Sequence, residues 1–148
     1  MKLESKITQD IKDAMLNKDS IKLEVCRSIK SAILIAKSAK GNSELDQEKE
    51  IEIIQKILKQ TKESERIYRE KSRIDLADHE KKQSDIISKY LPKQFSEIEI
   101  EELVLDVIDV LNMKTKKNMG FLIKEVMKRA KGRTEGKIVA RIVQKHLS

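Results

Sequence analysis

Residues 91–99 read Leu-Pro-Lys-Gln-Phe-Ser-Glu-Ile-Glu, "LPKQFSEIE". Proline lacks a backbone N–H and pushes the residue before it out of the helical region. Pro92 is the chain's one proline, so a helix running up to Tyr90 stops there. Ser96 and Glu99 then stand at capping-box spacing, in which the serine oxygen accepts from the backbone three residues on and the glutamate reaches back. One helix ends and another begins across this stretch, which predicts a boundary between a unit at residues 1–91 and a second at 96–148.

On both sides of that break the apolar residues recur at helical spacing, and no segment alternates as a strand would. Leu3, Ile7, Ile11, Ala14 and Met15 mark a first helix that breaks at Asn17-Lys18-Asp19. Asp19 or Ser20 suits the cap of a second, with Val25, Cys26, Ile29, Ala32, Ile33 and Ala36 on one face and Gly41 at its end. A third begins near Asp46, turns Ile51, Ile54, Ile57 and Leu58 inward, and becomes polar after Thr61. A fourth runs from about Asp75 to Tyr90 with sparse apolar marks at Leu76, Ile86, Ile87 and Tyr90, so the far ends of the third and fourth are expected to form a solvated hairpin. Beyond the proline, a fifth helix carries Ile100, Leu103, Val104, Val107, Ile108 and Leu111. A sixth, from about Lys117 to Ala130, buries Met119, Leu122, Ile123, Val126 and Met127. A seventh buries Ile138, Val139, Ile142, Val143 and Leu147. The expected fold is all-α, an N-terminal bundle of about four helices followed by a C-terminal three-helix bundle.

Composition agrees with helices built on an aliphatic core. The 148 residues include no Trp, two Tyr and two Phe, while 39% are charged, a balance that favours helix throughout. The single cysteine, Cys26, excludes an internal disulfide and suits a reducing compartment. No apolar run reaches the roughly 18 to 20 residues of a membrane span, and the N-terminus lacks the apolar stretch of a signal peptide. A soluble, cytoplasmic protein with no membrane partner is expected.

Charge is unevenly spread. From Asn112 to Ser148 eleven Lys and Arg face two Glu, whereas Met1 to Leu111 holds 21 against 23. On helices, Lys117, Lys124, Lys128 and Lys131 share one side of the sixth, and Lys137, Arg141 and Lys145 share one side of the seventh. Between the two lies Lys131-Gly132-Arg133-Thr134-Glu135-Gly136-Lys137-Ile138-Val139, "KGRTEGKIV". A Walker-type loop needs four residues between its glycines, then Lys and a hydroxyl residue; here three residues separate Gly132 from Gly136, and Ile138 replaces the hydroxyl. The stretch reads instead as a helix-to-helix turn, with Gly132 in the left-handed position past a helix end and Thr134 as the next cap. A helix start offers backbone N–H groups and a positive dipole end, which favours an anion such as RNA phosphate. Phe121 lies off the apolar face among the lysines, where it can stack on an unpaired base or pack on the neighbouring unit. A lysine-rich face is also the ordinary solvated face of a small protein.

No catalytic constellation stands out. Cys26 lies on an apolar helix face, where a buried thiol is normally inert. His79 and His146 are far apart in sequence and neither has an acid–base partner by motif. Asp75, Asp78 and His79 share helical spacing, but acids in a first turn are explained by the helix dipole, and no further metal ligands accompany them. No catalytic residue, metal or cofactor is expected.

The chain resembles the YqeY family, small bacterial proteins similar to a free-standing C-terminal region of GatB, a subunit of the aminoacyl-tRNA amidotransferase. The resemblance rests on "IKDAMLNKDSIKLEVCRSIKSAI" near the start, the junction "YLPKQFSEIEIEE", and the tail "NMGFLIKEVMKRAKGRTEGKIVARIV". Met119-Gly120, Lys131-Gly132-Arg133 and Gly136-Lys137 match the family's tail pattern; Thr134-Glu135 stands where Ala-Asp is usual. The resemblance implies an all-helical protein related to a module that contacts tRNA while other domains do the chemistry. It also brings a family label of carbon–nitrogen ligase with glutamine as amide-nitrogen donor, for which the chain shows no nucleophile. The leading expectation is a non-catalytic helical module that binds tRNA or other RNA through Lys117, Lys124, Lys128, Lys131, Gly132, Arg133, Gly136, Lys137, Arg141 and Lys145. The alternatives are a protein-binding helical adaptor, and a component that acts only in complex with amidotransferase or other translation proteins.

Overall fold

The computed structural model describes residues 2–148. Among these, the regular elements are α1 (Leu3–Leu16), α2 (Ser20–Ala39), α3 (Gln47–Glu70), α4 (Ile74–Ser88), α5 (Glu97–Leu111), a single 3-10 turn (Lys116–Asn118), α6 (Met119–Ala130) and α7 (Gly136–His146). The protein is all-α. It divides into two compact units, Met1–Leu91 and Pro92–Ser148.

In the first unit, side-chain caps start α2 and α3: the Asp19 carboxylate accepts from Lys22 N–H, and Asp46 accepts from Lys49 N–H, each occupying an otherwise unpaired donor of the first turn. Ile7, Val25, Ile29, Ile33, Ile54 and Ile87 meet in one core. The inward stripe of α1 is Ile7, Asp10 and Ala14, at spacing i, i+3 and i+7. Met15 lies about 100° round the helix from that stripe and is 56% exposed, so it marks the helix without joining its buried face. Likewise the inward residues of α3 are Ile53, Ile54, Leu58 and Thr61, with Ile51 and Ile57 only half-buried. Thr61 is the last buried residue of α3 and Ala77 the first of α4. The helical ends between them are solvated and laced by ion pairs such as Arg69 to Glu65 at 2.9 Å and to Asp78 at 3.2 Å.

Asp10 is the polar exception in this core. It is buried, and a buried carboxylate is stable only when its oxygens are hydrogen-bonded. Tyr90, just past α4, donates its hydroxyl to Asp10 Oδ2 at 2.5 Å, and Lys6 Nζ lies 3.4 Å from Oδ1. Cys26 Sγ sits 3.3 Å from the same tyrosine oxygen. Burial, then the hydrogen bond to Asp10, pushes the Tyr90 phenol far above its usual range, and burial also raises the Cys26 thiol.

The second unit is cored by Ile100, Val104, Val107, Leu122, Val126, Val139 and Val143 from its three helices. Ser96 opens α5 with both halves of the capping box formed: Ser96 Oγ accepts from Glu99 N–H at 3.2 Å, and Glu99 Oε1 accepts from Ser96 N–H at 3.1 Å. After α6 the backbone turns through two left-handed residues, Lys131 at φ 49° and Gly132 at φ 82°. Gly132 takes that conformation without steric penalty, and Lys131 takes it at a cost. Thr134 does not cap α7 as expected. It is drawn into the core at 2% exposure, which leaves Glu135 with extended backbone at the cap position and no capping hydrogen bond from its side chain.

Two stability measurements follow from these contacts. Ser96→Ala removes half of the capping box and is expected to destabilise the second unit by about 1 kcal/mol, read as a lower urea midpoint; an unchanged midpoint would show the cap to be idle. The raised phenol of Tyr90 gives a pH signature. Above pH of about 10 the unfolded chain releases this proton while the folded chain retains it, so stability falls as pH rises. Urea titrations at pH 8 and 11 should show a steeper alkaline loss for the native protein than for Tyr90→Phe, which also weakens the fold at pH 8 by leaving Asp10 Oδ2 without its donor.

Candidate functional site

Arg133 occupies the centre of the turn between α6 and α7, and the structure gives it an internal role. Its guanidinium carbon lies 3.8 Å from the centroid of the Phe95 ring, and its Nε donates to the Lys93 carbonyl at 2.9 Å. Its own carbonyl accepts from Phe95 N–H at 2.7 Å. Gln94 Nε2 adds a hydrogen bond to the Gly132 carbonyl at 3.1 Å. The turn is therefore stitched to residues 93–95, and Arg133, half-buried, is a clamp within the unit.

Cations and carboxylates segregate by helix. The six charged residues of α5 are all acidic: Glu97, Glu99, Glu101, Glu102, Asp106 and Asp109. Three of them hold cations of the other two helices. Arg141 of α7 pairs with Glu97, Lys145 lies 3.7 Å from Glu101, and Arg129 of α6 lies 3.7 Å from Asp106. His146 Nε2 stands 2.8 Å from the same Glu101, and this contact, with Lys145, holds the Glu101 carboxyl below its ordinary range.

The lysines of α6 are arranged differently. Leu122, Val126 and Ala130 form its buried side, and Lys124 and Lys128 project from the opposite one, both exposed. Lys117 before the helix, Lys131 after it and Lys137 on α7 are exposed as well. Among the described residues, none of these five lysines has a carboxylate within ion-pair distance, in contrast to Arg141 and Lys145. Phe121 shares the outward side of α6 at 47% exposure. The cations of the two helices thus differ in pairing: those of α6 at Lys124 and Lys128, with Lys131 at its end, are without a carboxylate at that distance, whereas Arg141 and Lys145 of α7 face the acids of α5. Gly132 and Gly136 lie in the intervening turn and at the start of α7, half-buried.

Both histidines do face carboxylates from distant helices, a correction to their reading by motif. His79 Nε2 is 3.3 Å from Glu24, and His146 meets Glu101 as above. These pairs join residues 55 and 45 positions apart, which local spacing does not reveal. Asp75, Asp78 and His79 go to separate partners, Arg73, Arg69 and Glu24. Cys26 is fully buried. In the first unit, an open groove of about 870 Å³ lies between α2 and α3, lined by Leu23, Glu24, Arg27, Ala32, Ile35 and Ile57 among others. No described helix is long and apolar enough to cross a membrane.

Among curated proteins, the chain is similar to "Altered inheritance of mitochondria protein 41, mitochondrial" of Saccharomyces cerevisiae. The identity is 32% over 120 residues in one strain and 31% in another, and the match covers 80% of this chain and 64% of the relative. The chain thus spans less than two-thirds of the length of these relatives. A family described as Yqey-like protein matches residues 4–147, nearly end to end and across both helical units. The chain therefore belongs to the Yqey-like family.

Proposed function

We propose that this protein is a non-catalytic helical module that binds tRNA or other RNA, built as a four-helix bundle followed by a three-helix bundle that carries the RNA contact. The observation that supports the reading is the outward side of α6, where Lys124 and Lys128 stand exposed and unpaired with Lys117 and Lys131 at its two ends. Exposed ammonium groups with no carboxylate beside them lose little on meeting a phosphate, because no internal ion pair has to break; the gain is release of the polyanion's counterions. Arg141 and Lys145 would have to surrender Glu97 and Glu101 first, so they rank below the α6 lysines as contacts, and Arg133 acts by fixing the turn. The resemblance to the tRNA-contacting tail of the amidotransferase subunit favours tRNA as the form of RNA. Cytoplasmic work is compatible with the free, buried Cys26, and partnership with amidotransferase or other translation proteins fits the same reading.

The test is a titration of labelled tRNA against the purified protein at two salt concentrations. If about four phosphates are engaged, log affinity falls against log salt with a slope of roughly −3. The double variant Lys124→Glu, Lys128→Glu is expected to weaken binding by roughly tenfold or more and to reduce the slope by about 2. Arg141→Glu, at a residue already paired, should change much less. Equal binding by native protein and double variant would overturn the reading, and a protein-binding role for this face would take its place.

A further inference from the structure

We infer that the outward side of α6 takes an unpaired nucleotide, with Phe121 as the surface beneath its base and Lys117, Lys124 and Lys128 on the adjoining phosphates. The inference rests on the RNA-binding reading above and adds the form of nucleic acid recognised.

Three observations carry it. Two of the chain's four aromatic residues have internal tasks: Tyr90 donates to the buried Asp10 and Phe95 lies under Arg133. Phe121 is the exposed one, at 47%, on a helix whose core contacts are made by Leu122, Val126 and Ala130. Next, Phe121, Lys124 and Lys128 recur at i, i+3 and i+7, which places an aromatic ring in line with two cations along about 10 Å of helix. Finally, the residue beside it, Gly120, stands at an exposed helical position without a side chain, and a Cβ there would meet no atom within 4 Å beyond its chain neighbours and its own helix's backbone.

The chemistry separates one class of RNA from another. Every base has a π-face, but in a duplex both faces are covered by neighbouring base pairs, so a protein aromatic reaches them only where the strand is unpaired. Lysines alone would favour the duplex, whose charge density is higher. An aromatic ring set among them reverses that preference.

The chain contains no tryptophan, so Phe121→Trp provides a single fluorescent reporter at the proposed contact. Its emission should be quenched by an unstructured 12-nucleotide RNA and not by a 12-base-pair RNA duplex. In anisotropy titrations with the same two RNAs, the native protein should prefer the single strand. Phe121→Ala should weaken single-strand binding by roughly 5- to 150-fold and leave duplex binding unchanged; the residue is exposed, and helical circular dichroism checks that the fold is kept. Unaltered single-strand affinity in Phe121→Ala, an equal loss on both RNAs, or no quenching at Trp would overturn the inference. If Lys124→Glu, Lys128→Glu still weakens binding in that case, RNA binding stands and stacking alone fails. If that variant binds both RNAs like the native protein, the RNA-binding reading itself is the one that fails.

Discussion

The second unit depends on how Arg133 is held. Three of its contacts run to residues 93–95, forty positions earlier: the ring of Phe95, the carbonyl of Lys93 and the N–H of Phe95. The segment that ends the proline break and the turn that joins α6 to α7 are thus one piece of structure. The same turn ends a helix that presents Leu122, Val126 and Ala130 to the core, and a helix so oriented has its lysines on the far side. A cation–π contact on a half-exposed ring contributes about 0.5–1 kcal/mol, modest beside the core, and with the two hydrogen bonds it ties the turn to residues 93–95.

What was legible in the sequence was what neighbours in sequence determine. Helical period located the helices, and the capping box at Ser96 and a cap at Asp19 or Ser20 were visible because an acceptor and its N–H lie three residues apart; the structure selects Asp19 and adds Asp46 as the cap of α3. What was not legible involves partners far along the chain. Asp10 is separated from Tyr90 by 80 positions, and the only local sign was an acid placed between Ile7 and Ala14 on the inward stripe of α1. Arg133 looked like a candidate phosphate ligand because nothing in its neighbourhood announces Phe95. Thr134 looked like a cap because threonine prefers that position; tertiary burial outweighed the local preference, and the helix began one residue later than that choice implied.

The site shows the same division. Sequence put Lys117, Lys124, Lys128 and Lys131 on one side of a helix; spacing suffices for Lys124 and Lys128, while Lys117 lies in the 3-10 turn before α6 and Lys131 at its left-handed end. It could not say which cations would be occupied, since Arg141 finds Glu97 and Lys145 finds Glu101 across two helices. The acids of α5 were countable, but a count does not tell which helix they face.

Charge segregation also explains how so cationic a tail can fold. Residues 112–148 hold eleven Lys and Arg against two Glu, and like charges crowded on adjacent helices repel. The carboxylates of α5 relieve this on the sides where the helices meet, at Arg129, Arg141 and Lys145. Exposed pairs of this kind contribute little to stability individually. Their effect is to cancel the field where helices pack and to leave it standing on the outward side of α6, where no carboxylate lies within ion-pair distance of the lysines among the described residues. A surface built only for solubility has no need of that asymmetry, because cations and anions interspersed on every helix would serve as well. Pairing Arg129, Arg141 and Lys145 while leaving Lys124 and Lys128 open, with an exposed aromatic in line with them, gives the outward side of α6 a positive potential that a polyanion can reach.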